Sequence, residues 1–526
     1  MGNDIKISIY KSNLILASIL TLFFLFPDIL ANYSWHGYGQ YTLISFVGGF
    51  AVTFLFAYLL TYIHKTGSVL FSLFVTLMGF IQIVYYAFFR TYMHAYDWSL
   101  IVQTEAIVSS LKSVIITVVI AIVMMIVFLT LLLILEKFSK PRKNIYAKYF
   151  LLFFVIFFLF LSQLHKDDFQ KEKYFSSINT IRTFFLACWH YTVPFKEKSF
   201  APYKIIKSST QKPIVIVIMG ESLNVNEMHL FGSEYQDTPL LDGLKSDKNF
   251  QYKRAISGGV NTVIGVPTFF YLKREPQNSQ LIKSATTNLF DLAKENGYKT
   301  YWLSTHNEGK EIRKLLTKAD FVKTRKHWNS PVYDEQLVHE IKSVDLSQKS
   351  FVVLHLRANH SPYEEYTPRK FYQWDFKSKE YAEYKRSSYL DSVLYIDHIV
   401  SSVIDYMNKN HKNFVIYFTS DHGEMMGTKR EDFIYGHSKL DIRCAEVPFI
   451  YYSDIKSTTL PYPIYSHYDI SKMVASDLGY KIINPNENGF SYVNGVNKDG
   501  KWGFIRYKLP KNNENISYQN ISLQRN

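Results

Sequence analysis

Residues 413–424 read NFVIYFTSDHGE, and residues 213–222 read PIVIVIMGES. Each is a short, nearly uninterrupted apolar run that ends in an acidic residue, joined in the first case by a histidine. Strands buried in a parallel sheet read this way, because both faces are covered and polar alternation is lost. Tyr298–Ser304 (YKTYWLS) and Ser350–Leu356 (SFVVLHL) follow the same pattern. Between them, Asn288–Asn296 reads as a short helix stopped by Gly297. Tyr389–Met407 places Leu390, Val393, Leu394, Val400, Val403, Ile404 and Met407 at helical spacing. Strand–helix alternation predicts a doubly wound α/β domain over residues 211–526, with a mostly parallel central sheet. In such sheets polar ligands bind beyond the carboxyl ends of the strands. The tail after about Asn497 is polar and gives no periodic signal.

Upstream the pattern is different. Five apolar runs, near Leu14–Leu30, Tyr41–Ile63, Ser68–Phe89, Ser113–Leu135 and Tyr149–Leu164, approach or exceed the roughly 18–20 residues a bilayer-spanning helix needs. They predict a five-helix transmembrane domain over residues 1–164. Lys6 and Lys11 precede the first run, and His64 and Lys65 lie between the second and third. Lys137, Lys140, Arg142, Lys143 and Lys148 lie between the fourth and fifth, whereas the other two loops carry only Arg90 and Lys112. The positive-inside rule then puts the N-terminus in the cytoplasm and everything after Leu164 outside. The lysine-rich, tryptophan-poor character is that of a bacterial chain, which makes the outer compartment the periplasm and the membrane the inner one. Residues 165–210 form a linker with a candidate amphipathic helix, Ile181–Val193, lying at the headgroup layer or packed on the soluble domain.

Composition narrows the rest. The chain has 526 residues, a formal charge of +14 and 17% aromatics, too many rings for a disordered chain. Cys188 and Cys444 are the only cysteines, which excludes a disulfide-dense scaffold and a cysteine zinc cluster; they pair in an oxidising periplasm or stay as thiols. The basic residues are dispersed rather than clustered, which disfavours nucleic acid as a partner. A monomer is expected.

The chemistry falls at the strand ends. Glu221, Asp421 and His422 form an oxygen-rich set with one nitrogen, suited to a divalent ion such as zinc or manganese. Taken singly, an acid at a strand end reads as a helix cap. Ser257–Pro267 can present the Thr262 hydroxyl at a helix start, where free amides favour an anion, or simply use it as an N-cap. A metal beside Thr262 would lower its pKa and make it a nucleophile. His360, in NHSPY, and His437, in YGHS, can each bind a phosphate oxygen or protonate a leaving alkoxide. His467, in SHYD, is open between a site role and a structural one. His64, His94, His229, His327 and His411 read as structural.

In this order the motifs resemble those of the phosphoethanolamine transferases of Gram-negative bacteria, membrane members of the alkaline phosphatase/sulfatase superfamily. Gly220-Glu221-Ser222 with Asn226, Met228, Leu230, Gly232 and Thr238-Pro239 is similar to the first metal motif, and Ser257–Pro267 to the nucleophile segment. Gly297–Trp302, His355-Leu356, Asn359–Tyr363, Ser420–Glu424 and Gly436–Ser438 complete the series. The resemblance implies a zinc held by Glu221, Thr262, Asp421 and His422, with Thr262 as nucleophile. His360 and His437 would sit beside the substrate phosphate or a second zinc. The implied donor is phosphatidylethanolamine and the implied acceptor lipid A or core sugars of lipopolysaccharide, with diacylglycerol released. Polymyxin resistance is the phenotype this implies. Thr104 and Glu105 would touch the lipid headgroup. Gly258 and Thr268 stand where many relatives carry a cysteine pair, and Val225 where an arginine is usual. Alternatives are phosphoglycerol transfer onto a periplasmic glucan or glycerol polymer, phosphoethanolamine transfer to another periplasmic acceptor, and a degenerate binding domain.

Overall fold

The computed structural model describes residues 13–22, 24–26, 43–61, 65–89, 92–95, 97–100, 115–138, 146, 149–153, 156–157, 176–192, 200–209, 211–276, 287–374, 381–428, 435–437, 439–455, 459–496, 502–510 and 516–522. The chain divides into two compact units, Met1–Pro194 with Lys498–Gly500, and Phe195–Asn497 with Lys501–Asn526.

The first unit is helical. Leu43–Leu60, Lys65–Phe89 and Ile115–Phe138 run for 18, 25 and 24 residues. Leu70, Ile116 and Val123 on these helices are exposed. Among the described residues, no helix is long and apolar enough to cross a membrane. Helix Ser176–Thr192 packs on Lys65–Phe89, with the Phe74 and Phe184 rings 5.8 Å apart. Thr180 donates to Gln82 at 2.9 Å across the same contact. The sequence offered two placements for this helix; the first unit supplies a third.

The second unit is built on an eight-stranded sheet. In chain order its strands are β1 (Ile214–Gly220), β2 (Phe250–Ile256), β3 (Lys299–Ser304), β4 (Phe321–Lys323), β5 (Ser350–His355), β6 (Phe414–Ser420), β7 (Glu446–Ser453) and β8 (Ile464–Ser466). Their lateral order is β8-β2-β7-β6-β1-β5-β3-β4. Strand β7 runs antiparallel to both neighbours, and every other pairing is parallel. The expected α/β sheet is therefore present, mostly parallel, with one reversed strand.

Alternation along β1 shows why its sequence is apolar throughout. Val215, Val217 and Met219 enter one core with Phe269, Phe290, Trp302 and Val474. Ile214, Ile216 and Ile218 enter the other with Val393, Val400 and Val403 of helix Tyr381–Asn410. Successive side chains on a strand point to opposite faces, so two cores demand an unbroken run. The expected short helix is present as Leu289–Glu295, and Gly297 after it adopts φ +79°.

Four strands of this sheet lie outside the expected runs: β7, EVPFIYYS, is apolar and buried but is not among them, and the other three carry no apolar run. Strand β2, FQYKRAI, is only partly buried over its middle, and β4 and β8 are three residues each. The polar tail also folds: Trp502–Lys508 pairs with Ser491–Val496 and Ser517–Ser522 in a three-stranded antiparallel sheet. Cys188 is exposed and Cys444 buried, and each is a thiol.

Phe290 is fully buried and meets the rings of Phe270, Trp302 and Phe351 at 5.7, 6.0 and 5.2 Å. Phe290→Ala is expected to cost about 3–5 kcal/mol. In thermal melts of the detergent-purified protein this appears as a drop of several degrees, whereas Phe321→Ala, at a 47% exposed position, changes little. Equal melting temperatures for the two variants would mean that this aromatic cluster is not the core.

Candidate metal and nucleophile site

Strands β1 and β6 are adjacent and parallel, with Gly220 opposite Ser420. The residues that follow, Glu221 and Asp421, therefore emerge side by side at the carboxyl edge. Ser222 then turns the chain with φ +55°, a left-handed conformation that costs a non-glycine residue about 1–3 kcal/mol. Its hydroxyl donates to Glu221 Oε1 at 2.8 Å and its N–H to Asp421 Oδ1 at 3.1 Å. The His422 N–H also donates to Asp421 Oδ1, at 2.8 Å. Asp421 caps no helix; one of its oxygens is tied to backbone, and the other, Oδ2, is buried without a hydrogen-bond partner.

Thr262 is the first residue of helix Thr262–Phe270, and Asn261 occupies the N-cap position. The Thr262 hydroxyl is thus not the cap. It donates to Glu221 at 3.1 and 3.2 Å and lies 3.3 Å from His422 Nε2. His422 Nε2 is 3.3 Å from Glu221 Oε1 and 3.5 Å from Asp421 Oδ2. One ligand atom from each of Glu221, Asp421 and His422 lies within 4.8 Å of the others, and all three residues are buried. Two carboxylates, one imidazole and a hydroxyl match the donor preference of zinc. The buried Asp421 Oδ2, which has no hydrogen bond, supplies the independent sign, since a cation would satisfy it.

The electrostatics agree. Burial alone would raise the Glu221 carboxyl, but the hydrogen bond and charge of His422 outweigh it and hold Glu221 well below the usual range. Burial and the Glu221 charge push Asp421 up to about 6. Against the lowering effect of burial, Asp421 and Glu221 raise His422 to about 9. The two buried carboxylates thus favour positive charge between them.

His437 is partly exposed, with its ring 4.3 Å from that of His422 and Nδ1 3.7 Å from Glu424 Oε1. His360 turns Nδ1 to its neighbour's carbonyl, Ser361 O, at 2.6 Å, and its ring lies 6.2 Å from that of His306. His467 begins helix His467–Asp477, packs edge-on against Phe269 at 5.3 Å and is pulled down to about 3 by burial. It is enclosed in the fold beside Thr419, at 3.3 Å. Thr104 and Glu105 lie outside the described residues. The sequence reading passed over His306 and gave His355 no site role; both lie on the far side of Glu221. The signal for them was there: each follows or ends an apolar strand at the same sheet edge as Glu221.

A glycine fixes the helix that begins at Thr262. A Cβ on Gly265 would fall 2.1 Å from the Asp421 carbonyl oxygen, so this helix and the segment after β6 touch backbone to backbone. A Cβ on Gly258 would fall 2.6 Å from Thr268 Oγ1, so these two positions are neighbours, as a cysteine pair would require.

Residues 213–480 match the sulfatase family model. The chain belongs to the sulfatase family. Within it, the chain is 27% identical over 239 residues to the Kdo(2)-lipid A phosphoethanolamine 7''-transferase of Escherichia coli K12, and 25% identical over 239 residues to phosphoethanolamine transferase EptC of the same strain. Each alignment covers 41% of this chain and 41% of the relative, so the chain spans about two-fifths of the length of these curated relatives. In fold, this sulfatase-family chain is similar to the integral membrane protein lipooligosaccharide phosphoethanolamine transferase A from Neisseria meningitidis. The TM-score is 0.60 at 16% identity, over 88% of this chain and 95% of that one. The resemblance to phosphoethanolamine transferases read from the motifs is borne out.

Gly265→Ala is expected to destabilise by about 1–3 kcal/mol through overpacking and to displace Thr262 from the carboxylates. Gly243→Ala, where nothing lies within 4 Å of the new Cβ, is the control. Melting curves and zinc content by mass spectrometry should separate the two; identical values would show that the helix can shift freely.

Proposed function

We propose that the protein transfers phosphoethanolamine from phosphatidylethanolamine to lipid A or core sugars of lipopolysaccharide, at the periplasmic face of a bacterial inner membrane. The single observation that carries this reading is the convergence of Thr262 Oγ1 on Glu221 and His422, beside Asp421. The named activities of the relatives support it.

Glu221, Thr262, Asp421 and His422 would hold a zinc ion, which supplies charge stabilisation to the phosphoryl oxygens and lowers the pKa of the hydroxyl it touches. Thr262 Oγ1 gives its proton to solvent water and attacks the donor phosphorus. The bond from phosphorus to the glyceryl oxygen breaks, and diacylglycerol leaves once that oxygen is protonated. His437, partly exposed and beside His422, is placed to supply that proton or bind a phosphoryl oxygen, and His360 to bind another. An acceptor hydroxyl or phosphate oxygen then attacks the phosphoethanolamine–Thr262 intermediate and restores the threonine. The helix beginning at Thr262 offers its free amides to the phosphoryl group.

Membrane attachment fits a two-tailed donor, because it raises the donor's concentration at the site. The exposed Leu70, Ile116 and Val123 on long first-unit helices support a lipid-facing surface; the five-span domain with the catalytic unit outside rests on the apolar runs and the charge pattern of the sequence.

Thr262→Ala is expected to abolish the reaction, a loss of roughly three orders of magnitude or more. Mass spectrometry of lipid A and core from cells with and without the gene should show one phosphoethanolamine unit that requires Thr262. Deleting the gene should also restore polymyxin sensitivity. A glycerol-bearing product in its place would favour the phosphoglycerol reading, and an unchanged lipid A and core would remove this acceptor.

A further inference from the structure

Glu221 belongs to two groups of side chains. Beyond the cluster around Thr262, its Oε2 lies 3.6 Å from His306 Nε2. One ligand atom from each of Glu221, His306 and His355 lies within 4.8 Å of the other two. All three residues are buried. The topology puts them there: β3 and β5 are parallel neighbours with Ser304 opposite His355, and His306 follows β3 by two residues. The two imidazole rings stack at 4.3 Å, only 16° from parallel.

His355 shows what the group is built for. Its Nδ1 is 2.9 Å from Glu308 Oε1, and Glu308 is held by the Trp302 indole N–H at 3.0 Å. A carboxylate on one imidazole nitrogen fixes the tautomer and leaves a basic lone pair on the other, the arrangement that supports metal-ligating histidines. That other nitrogen, Nε2, is fully buried and has no hydrogen-bond partner. Asp421 Oδ2 is in the same condition in the first cluster. Ligand atoms that converge within 4.8 Å, one of them buried and unsatisfied, form an arrangement that a cation would complete.

We propose that Glu221, His306 and His355 form a second divalent-cation site, and that Glu221 bridges it to the first, one carboxylate oxygen to each ion. Two imidazoles and a carboxylate suit zinc. The ion takes the place of the proton that His306 Nε2 now shares with the Leu356 carbonyl oxygen at 2.6 Å. Its effect is to fix the Glu221 carboxylate and raise the positive field at the strand edge. This site is distinct from any ion near His360 and His437, and it does not depend on which group the enzyme transfers.

The test uses the full-length protein in detergent, stripped with a chelator, titrated with zinc and assayed for bound metal by mass spectrometry after gel filtration. His306→Ala and His355→Ala should each retain one equivalent fewer than wild type. The same zinc content in wild type and both variants overturns the proposal. Should either variant fail to fold, the His360→Ala/His437→Ala double variant decides: it should still bind two equivalents, and one equivalent refutes the site.

Discussion

The structure depends on two carboxylates held side by side at the edge of a parallel sheet. Glu221 and Asp421 follow adjacent strands in register, so their separation is fixed by backbone hydrogen bonds rather than by side-chain preference. Two buried negative charges repel, and neither can be hydrated. The arrangement persists only with compensation: His422 lies 3.3 and 3.5 Å from the two carboxylates, and backbone N–H groups tie Asp421 Oδ1. The same geometry could hold a metal ion.

The rest of the second unit serves that edge. The aromatic core under the sheet, from Phe269 to Trp302, anchors the helix whose first residue is Thr262. The Gly265–Asp421 backbone contact sets the distance between that helix and the strand. On the opposite face, Tyr389 of the long helix donates to the Ser222 carbonyl at 2.9 Å and accepts from the Asn224 N–H at 2.8 Å. The left-handed turn at Ser222 is therefore held from both sides, and the strain at that residue is borne by the packing around it.

Much of this was legible in the residues. The apolar runs at 214–220, 299–304, 350–355 and 414–420 became parallel strands because two covered faces leave no room for polar alternation. Glu221, Thr262, Asp421 and His422 were legible as well, since chemistry-bearing residues at strand ends and helix starts have few structural uses. Strand β2 was not: Gln251, Tyr252, Lys253 and Arg254 are only partly buried, so no apolar run marks them. The three-stranded sheet that includes Trp502–Lys508 was hidden for a related reason, because its buried residues, Val493, Ile505 and Tyr507, are interleaved with polar ones and form no apolar run.

The sequence by itself determined the four central parallel strands, where the acids and histidines fall at their ends, and that an apolar region precedes the α/β domain. Those follow from local hydrophobic pattern, which is a property of neighbours in the chain. Only the tertiary structure decided that Glu221 faces two groups at once, that His467 is enclosed in the fold, and that His306 and His355 stack at its other oxygen. Strand order is the reason: β6, β1, β5 and β3 lie side by side although they are far apart in the chain, and lateral adjacency in a sheet is not written in any single strand.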